Sequence, residues 1–502
     1  MSRLRSVVAK NAVSNIIRGG ATALVSIGLP HFLAHSLDKD RFAAWSLILQ
    51  IAAYASIFDF GLQTCVARFV SQANESREAD RIPKVVGTAL AMLSVGGLVA
   101  LVITLWIVSD AASFFHGVPM NLLHEFRTAT VIMALGAAFL LPLSTFTGVL
   151  VGLQRNEVPA FAIGGSRLAG ATVAVFAARY TTSLTVIALF VAAPNLAGGL
   201  IQALASRKIA GDALKQFWFD REVARSMIHY GMGLTVWSVG MLLVSGLDVT
   251  IVAHFQFESV GYYAIAATAI TIFASANSSI LSALLAPFSA MQTSRNFLRM
   301  RDIVLRATRV NTLVNWVLTV FVIEFGERIL RLWVGPSYAH LAYPVLVVLM
   351  VTQTIRLVAN AYSIALMATG HQNSGIPAVV VEATANLAAS IWGVIHFGAI
   401  GVAIGSLVGA LLALPCLFLF TMKVREDLII HRKDLAIEGM LFGLLPAAPM
   451  LAVAILVRQL PMPKGWIAAL WSIAILGGTL IFLGIEGTLR KTNRSGARNA
   501  VA

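Results

Sequence analysis

Seven ionisable side chains stand inside stretches of sequence that are otherwise apolar: Arg18, Arg68, Arg167 and Arg356, set against Asp59, Asp248 and Glu382. At bilayer depth a charge costs several kcal/mol, so each must face a wet cavity, meet a counter-charge, or reach back to the headgroups. Arginine's planar fork suits an oxyanion better than any other side chain. The carboxylates can neutralise those arginines, or take up and release a proton. The chemistry on offer is therefore anion recognition inside a membrane, with charge pairing or ion exchange beside it. Arg68 and Arg18 also have stems long enough to snorkel. Arg356, near the middle of its stretch, has no such escape and must line an aqueous cavity or pair with a carboxylate. Arg167, about 13 Å into its helix at the usual rise per residue, is open to either reading. Asp59 is read first as a structural partner of the arginines, Asp248 equally as partner or proton carrier, and Glu382 as a carboxylate two turns into its helix. Trp237 lies deeper than the other tryptophans, which are read as interfacial anchors, and offers a face on which a sugar ring could stack.

These residues are carried by about fourteen apolar stretches, each near the roughly 20 residues that cross a bilayer as a helix. They run approximately over 11–35, 42–71, 84–108, 126–151, 158–178, 184–205, 228–253, 259–287, 308–323, 341–368, 375–394, 398–422, 437–457 and 465–486. With 58% hydrophobic and 12% charged residues, and a mean hydropathy of +0.82, the 502-residue chain fits an all-α polytopic membrane protein and leaves no room for a soluble domain. If the N-terminus is cytoplasmic, 25 of the 37 Lys and Arg residues fall in inner loops and tails and eight in outer ones. The positive-inside rule then places both ends in the cytoplasm. The net charge of +14 follows from that asymmetry and needs no nucleic acid. The basic opening lacks a small-residue cleavage site after its apolar run and is read as a retained first span. Cys65 and Cys416 both fall in expected helices, which implies neither a disulfide framework nor a thiolate metal site.

A weak internal repeat divides the chain. Ala34-His35 at the end of the first span and Ala253-His254 at the end of the seventh are 219 residues apart, and QRNEVPA and QNSGIPA, entering the fifth and eleventh, are 218 apart. Two nearly equal offsets at equivalent boundaries point to a duplicated six-helix unit, with both copies in the same orientation. The expected domains are a lobe over 1–205, a cytoplasmic linker over 206–225, a second lobe over 226–422, a cytoplasmic loop over 423–436, two further helices over 437–486 and a basic cytoplasmic tail over 487–502. Gly401, Gly405 and Gly409 share one helix face and are read as packing glycines.

Other chemistries find no support. No GxxxxGK[ST] loop is present for nucleotide hydrolysis. His31, His35, His254 and His396 lack the spacing of metal ligands, so no metal and no cofactor is expected. No outer loop exceeds about 20 residues, and the short one around Asp110, His116 and Glu125 is too small for a catalytic domain. A transporter without catalytic residues is expected.

Three segments carry a family resemblance. FDFGLQTCVARFVS, with Asp59, Gly61 and Arg68, resembles a stretch of bacterial polysaccharide-biosynthesis membrane proteins, the Wzx-type flippases of the multidrug/oligosaccharidyl-lipid/polysaccharide exporter superfamily. ERILRLWVGPSYAHLAYPVL, with Leu330, Trp333, Gly335 and Tyr338, is similar to a second recurrent segment, and ALMATGHQNSGIP, with Gly370, to a third. The resemblance implies two six-helix lobes around a central cavity that opens to each side in turn. It also implies undecaprenyl-pyrophosphate bearing an O-antigen, capsule or exopolysaccharide unit as cargo, in the cell inner membrane, with a polysaccharide polymerase and a chain-length regulator as partners. Arg18, Arg356, Arg167 and Arg68 are then candidates for the pyrophosphate, Asp248, Glu382 and Asp59 for ion coupling or charge pairing, and Trp237 for the sugar. The competing expectations are a multidrug or metabolite antiporter of the same superfamily, whose cationic cargo would want an acidic cavity, and an integral membrane polymerase or glycosyltransferase.

Overall fold

Hydrocarbon offers backbone N–H and C=O groups no water, so a chain this apolar must satisfy them within helices. The computed structural model describes residues 2–76, 78, 80–115, 117–214, 216–422, 426–459 and 463–499, and among these there is no β-strand. Within helices, the side chains of residues 2–18, 212, 213, 232–234, 236–238, 245, 458, 459, 464, 468 and 490–499 lie outside that description.

The principal helices are α1 (Ser2–Ser36), α2 (Lys39–Tyr54), α3 (Leu62–Glu75), α4 (Arg81–Ser109), the short α5 (Ala111–Phe114), α6 (Met120–Gly152), α7 (Glu157–Ala177) and α8 (Leu184–Ala210). They continue with α9 (Arg221–Met241), α10 (Asp248–Phe255), α11 (Val260–Ser282), α12 (Leu285–Thr293), α13 (Phe297–Val334), α14 (Pro336–Leu357), α15 (Asn360–Ala368), α16 (Ile376–Phe397) and α17 (Ala399–Cys416). After an irregular helical run over 432–447 come α18 (Ala448–Gln459) and α19 (Lys464–Asn499). Eleven helical stretches among the described residues are long and apolar enough to cross a membrane. The other three expected spans fall on α1, on α9 with α10, and on α13, whose length carries many polar residues. The protein is an all-helical, multi-pass membrane protein.

Two compact units are present. Unit 1 comprises Met1–Thr268 with Trp333–Tyr338 and Ser390–Val402. Within it α6 packs against α8, α4 and α3, while α7 packs against α1 and α8. Its core joins Leu62, Cys65, Val66 and Val70 of α3 to Val85, Val86, Ala89 and Leu93 of α4, Val149 of α6 and Met227 of α9. The close approach of α6 to α3 depends on two glycines one turn apart. A Cβ on Gly148 would sit 2.7 Å from the Gln63 carbonyl oxygen and 2.8 Å from Val66 Cβ, and one on Gly152 would sit 2.7 Å from the Ala67 carbonyl oxygen. Ahead of α9, Asp220 Oδ1 accepts from the backbone N–H groups of Glu222 (2.9 Å) and Val223 (3.1 Å). The Val223 N–H and the Lys84 ammonium, 3.3 Å away, hold the Asp220 carboxyl below the usual aspartate range.

Unit 2 comprises Ala269–Leu332, Ala339–Ala389 and Ala403–Ala502. One of its clusters gathers Phe288, Met300, Val304 and Leu305 with Tyr362, Ala365, Leu366, Met422 and Leu435. The two glycines of the expected packing face that meet tight neighbours do so in different units. In unit 1 a Cβ on Gly401 would collide with the Gly393 backbone, and in unit 2 one on Gly409 would sit 2.9 Å from Asn386 Cβ and 3.0 Å from the Glu382 carbonyl oxygen.

Replacing Gly148 by Leu is expected to cost about 1–3 kcal/mol through overpacking. Gly165→Leu, where no atom lies within 4 Å of the new Cβ, should leave the melting temperature in detergent nearly unchanged. Because the Asp220 carboxyl is depressed in the folded state, its cap stabilises at pH values above the ordinary aspartate range and is lost as pH falls through the lowered value. The melting temperature of Asp220→Ala should therefore fall below that of the native chain at neutral pH and converge with it in acid.

Candidate functional site

In unit 2 a transmembrane helix is interrupted. α14 ends at Leu357 and α15 begins at Asn360, with a turn at Val358 and Ala359 between them. A break of this kind frees backbone groups that hydrocarbon cannot satisfy, and side chains must take their place. The Leu357 carbonyl oxygen accepts from Asn311 Nδ2 of α13 at 2.7 Å. Asn311 Oδ1 and Asn315 Oδ1 accept from Asn277 Nδ2 of α11 at 2.6 and 3.0 Å, and Asn360 Nδ2 lies 3.4 Å from Asn277 Oδ1. Thr319 Oγ1 donates to the Asn315 carbonyl (2.8 Å) and shares a hydrogen bond with Thr354 Oγ1 (2.7 Å). Thr308, Asn311, Thr312, Asn315 and Thr319 recur at helical spacing on α13 and are all buried, giving that helix one polar stripe.

The last turn of α14 carries Arg356. Its Nε donates to Glu382 Oε1 of α16 at 2.5 Å, and both side chains are 14% exposed. Two residues singled out in the sequence for depth and charge are thus brought together beside the break. α17 lies close against this part of α16 because Gly409 carries no side chain there, and Ser406 Oγ donates to Asn386 Oδ1 one turn beyond Glu382 (3.1 Å).

A second buried ion pair in unit 2 joins α13 to α19. Arg309, expected among the inner-loop charges, is 5% exposed. Its Nε and Nη2 reach Glu486 Oε1 of α19 at 3.1 and 3.0 Å, and its Nη1 donates to the Glu438 carbonyl at 3.2 Å. The residue that could have signalled it is Glu486, a lone carboxylate in the apolar helix that ends the chain.

Unit 1 holds the other sequence candidates. α9 passes through a π-helical turn at Leu242–Gly246 before α10 begins at Asp248. The Gly246 carbonyl, exposed by that turn, accepts from Gln50 Nε2 (2.6 Å) and Tyr54 Oη (2.9 Å) of α2, and Tyr54 Oη also bonds Thr250 Oγ1. Asp248 is 5% exposed and accepts from Tyr263 Oη at 3.0 Å. The expected second span is also broken: Asp59 ends a 3-10 turn, Phe60 and Gly61 take positive φ of 50° and 68°, and α3 starts at Leu62. Asp59 Oδ1 sits 3.4 Å from the Gln63 N–H, at the start of α3. Arg68, on the exposed face of α3, lies over the Tyr230 ring at 4.5 Å, within the range of a cation–π contact. Arg167 Nη1 donates to Thr22 Oγ1 of α1 at 3.0 Å. Arg18 lies on α1 one turn before Thr22, and Trp237 lies on α9, but both side chains fall outside the described residues, as does His116.

The arrangement is a set of interrupted membrane helices with arginines and carboxylates beside the interruptions. Residues 8–292 match the family described as polysaccharide biosynthesis protein. The chain belongs to that family. No curated protein matches it. Among solved structures, this family member is similar to a lipid II flippase, MurJ, in an inward closed conformation, with a TM-score of 0.66 at 13% identity over 96% of this chain and 99% of that one. A multidrug resistance MATE family transporter of the MOP superfamily, in an inward-facing conformation, gives 0.59 at 14% identity over 85% and 98%. A MOP superfamily transporter from Pyrococcus furiosus Vc1 (DSM3638) gives 0.54 at 12% identity over 88% and 96%. The polysaccharide biosynthesis family member therefore shares the fold of that flippase and of those MOP superfamily transporters.

Removing one partner of a buried pair strands the other charge, at a cost of about 3–5 kcal/mol, whereas replacing both with apolar groups is often close to neutral. Glu382→Gln is expected to destabilise the folded protein by an amount of that order. Arg356→Met combined with Glu382→Leu should recover most of the loss, as read by a double-mutant cycle of thermal unfolding in detergent.

Proposed function

We propose that this protein carries undecaprenyl-pyrophosphate-linked oligosaccharide from the cytoplasmic to the outer leaflet of the cell inner membrane by alternating access. The observation that carries the reading, beside the family match, is Arg356 held by Glu382 at the break between α14 and α15. A buried carboxylate keeps a guanidinium ready, and a pyrophosphate dianion, with more acceptor oxygens and more charge, can take the carboxylate's place. Arg167, Arg18 and Arg68 are read as further cationic steps for the headgroup, and Trp237 as a surface for the sugar. The lipid tail stays in the bilayer. The lobes 1–205 and 226–422, with both termini cytoplasmic and fourteen spans in all, form the carrier. A polymerase and a chain-length regulator would receive the product.

Direction follows from charge. One elementary charge crossing 100 mV is worth about 2.3 kcal/mol, so a dianion leaving a negative interior gains roughly 4–5 kcal/mol. Asp248 is read as an ion-exchange site, because its hydrogen-bond partner Tyr263 Oη can serve either protonation state of the carboxyl. The similarity to a multidrug transporter supports one rival, an antiporter for organic cations. The excess of intramembrane arginines over acids speaks for an anionic cargo instead.

The test is transbilayer movement of undecaprenyl-pyrophosphate oligosaccharide in proteoliposomes under an imposed potential. Losing a hydrogen-bonded charge contact should slow Arg356→Ala and Arg18→Ala by about tenfold or more at matched reconstitution. Absence of movement by the well-folded native protein, with uptake of an organic cation, would replace this reading with the antiporter. In the same assay Asp248→Asn should flatten the pH dependence of transport, and an unchanged profile would remove Asp248 from the coupling.

A further inference from the structure

Two histidines make the same kind of contact near the C-terminal ends of two helices in unit 1. On α1, the imidazole Nδ1 of His31 is hydrogen-bonded to the Trp333 carbonyl oxygen. Trp333 returns the contact, its indole Nε1 donating to the Ile27 carbonyl of α1 at 2.7 Å. In the last turn of α10, His254 Nδ1 is hydrogen-bonded to the Phe114 carbonyl oxygen at 2.5 Å. Phe114 and Trp333 are 219 residues apart, the same interval that separates His35 from His254. The contacts are reciprocal within the internal repeat. A histidine near the end of the first helix of each half holds a carbonyl between the third and fourth expected spans of the other. In the first clasp the histidine stands one turn before the repeat-equivalent position. His35 there bonds the His31 carbonyl through Nδ1 (2.7 Å).

The surroundings are shaped to admit both clasps. Gly335 has φ +87°, a backbone conformation that L side chains rarely adopt, so the chain turns there just after Trp333 without strain. A Cβ on Gly117 would collide with Phe257 Cβ. Tyr338 lies against Phe42 with ring centroids 5.3 Å apart, and Gly261 leaves space for both. Val334 is 1% and Tyr338 5% exposed.

Phe114 is the last residue of α5, and Trp333 the last but one of α13. Carbonyls in the final turn of a helix have no partner inside it, and when a clasp lets go, water takes over both the carbonyl and the imidazole N–H. Each clasp therefore favours the closed form by only about the worth of one hydrogen bond, with water as the competing partner.

We propose that these two histidine–carbonyl clasps close the outer end of the transport path and that both release when it opens. The assignment rests on the alternating-access reading for its consequence, and its test is independent of cargo. A single new cysteine is placed at Val334 (Val334→Cys), a position 1% exposed while the clasps are closed, and the native Cys65 and Cys416 are buried. Its rate of reaction with a membrane-impermeant maleimide added outside intact cells is then measured. Reaction is slow with the native histidines. His31→Leu and His254→Leu each raise the rate about fivefold, the equilibrium shift of one ordinary hydrogen bond, and together raise it roughly 25-fold if the clasps are independent. Where a leucine variant fails to reach the membrane, His31→Phe or His254→Phe decides in its place, since each keeps an aromatic ring and removes the bond to the carbonyl. Rates that do not change in variants with native melting temperatures overturn the proposal, as does labelling that responds only to reagent on the cytoplasmic side. Faster labelling with no movement of the pyrophosphate lipid leaves the clasps in place and overturns only the choice of cargo.

Discussion

Hydrocarbon supplies no water to a broken helix, and the polar architecture of this protein follows from that. Where α14 gives way to α15, the Leu357 carbonyl is met by Asn311. Where α9 loosens into a π turn, the Gly246 carbonyl is met by Gln50 and Tyr54. Each freed group recruits side chains from neighbouring helices, and those side chains recruit others, until a neutral network such as Asn277, Asn311, Asn315 and Asn360 surrounds the interruption. Such a network holds a helix open at a fixed place without a net charge. A charged group beside it is then the exception that needs its own explanation.

Arg356 with Glu382 and Arg309 with Glu486 are two answers to the same desolvation cost. Arg309 meets a carboxylate and a carbonyl together, and the carboxylate ties α13 to α19. Arg356 sits where the helix is already interrupted, with its carboxylate on another helix. A partner exchange there changes which helices are tied to one another, whereas at Arg309 it would only loosen a joint.

The sequence shows depth and polarity better than it shows partners. The spans are legible because a run of about 20 apolar residues has one cheap conformation in a bilayer. Arg356 and Glu382 are legible as charges that cannot sit unaided, but their pairing is not, since they lie 26 residues apart on different helices. The asparagine network leaves only a faint trace, the four-residue spacing of polar positions on α13, because neutral amides in a membrane helix are compatible with packing as well as with a site. His31 and His254 read as ordinary polar rings at span ends. Their acceptors are backbone carbonyls of Trp333 and Phe114, which no side-chain pattern encodes, and the repeat interval relates His254 to His35, one turn away from the histidine that makes the contact.

The fastening of Arg309 to Glu486 spans 177 residues of sequence. A chain synthesised from its N-terminus at about 5–20 residues per second exposes Arg309 for roughly 10–35 s before Glu486 exists. During that interval the guanidinium is without this carboxylate, so the tie between α13 and α19 is among the later long-range contacts that the 502 residues can make.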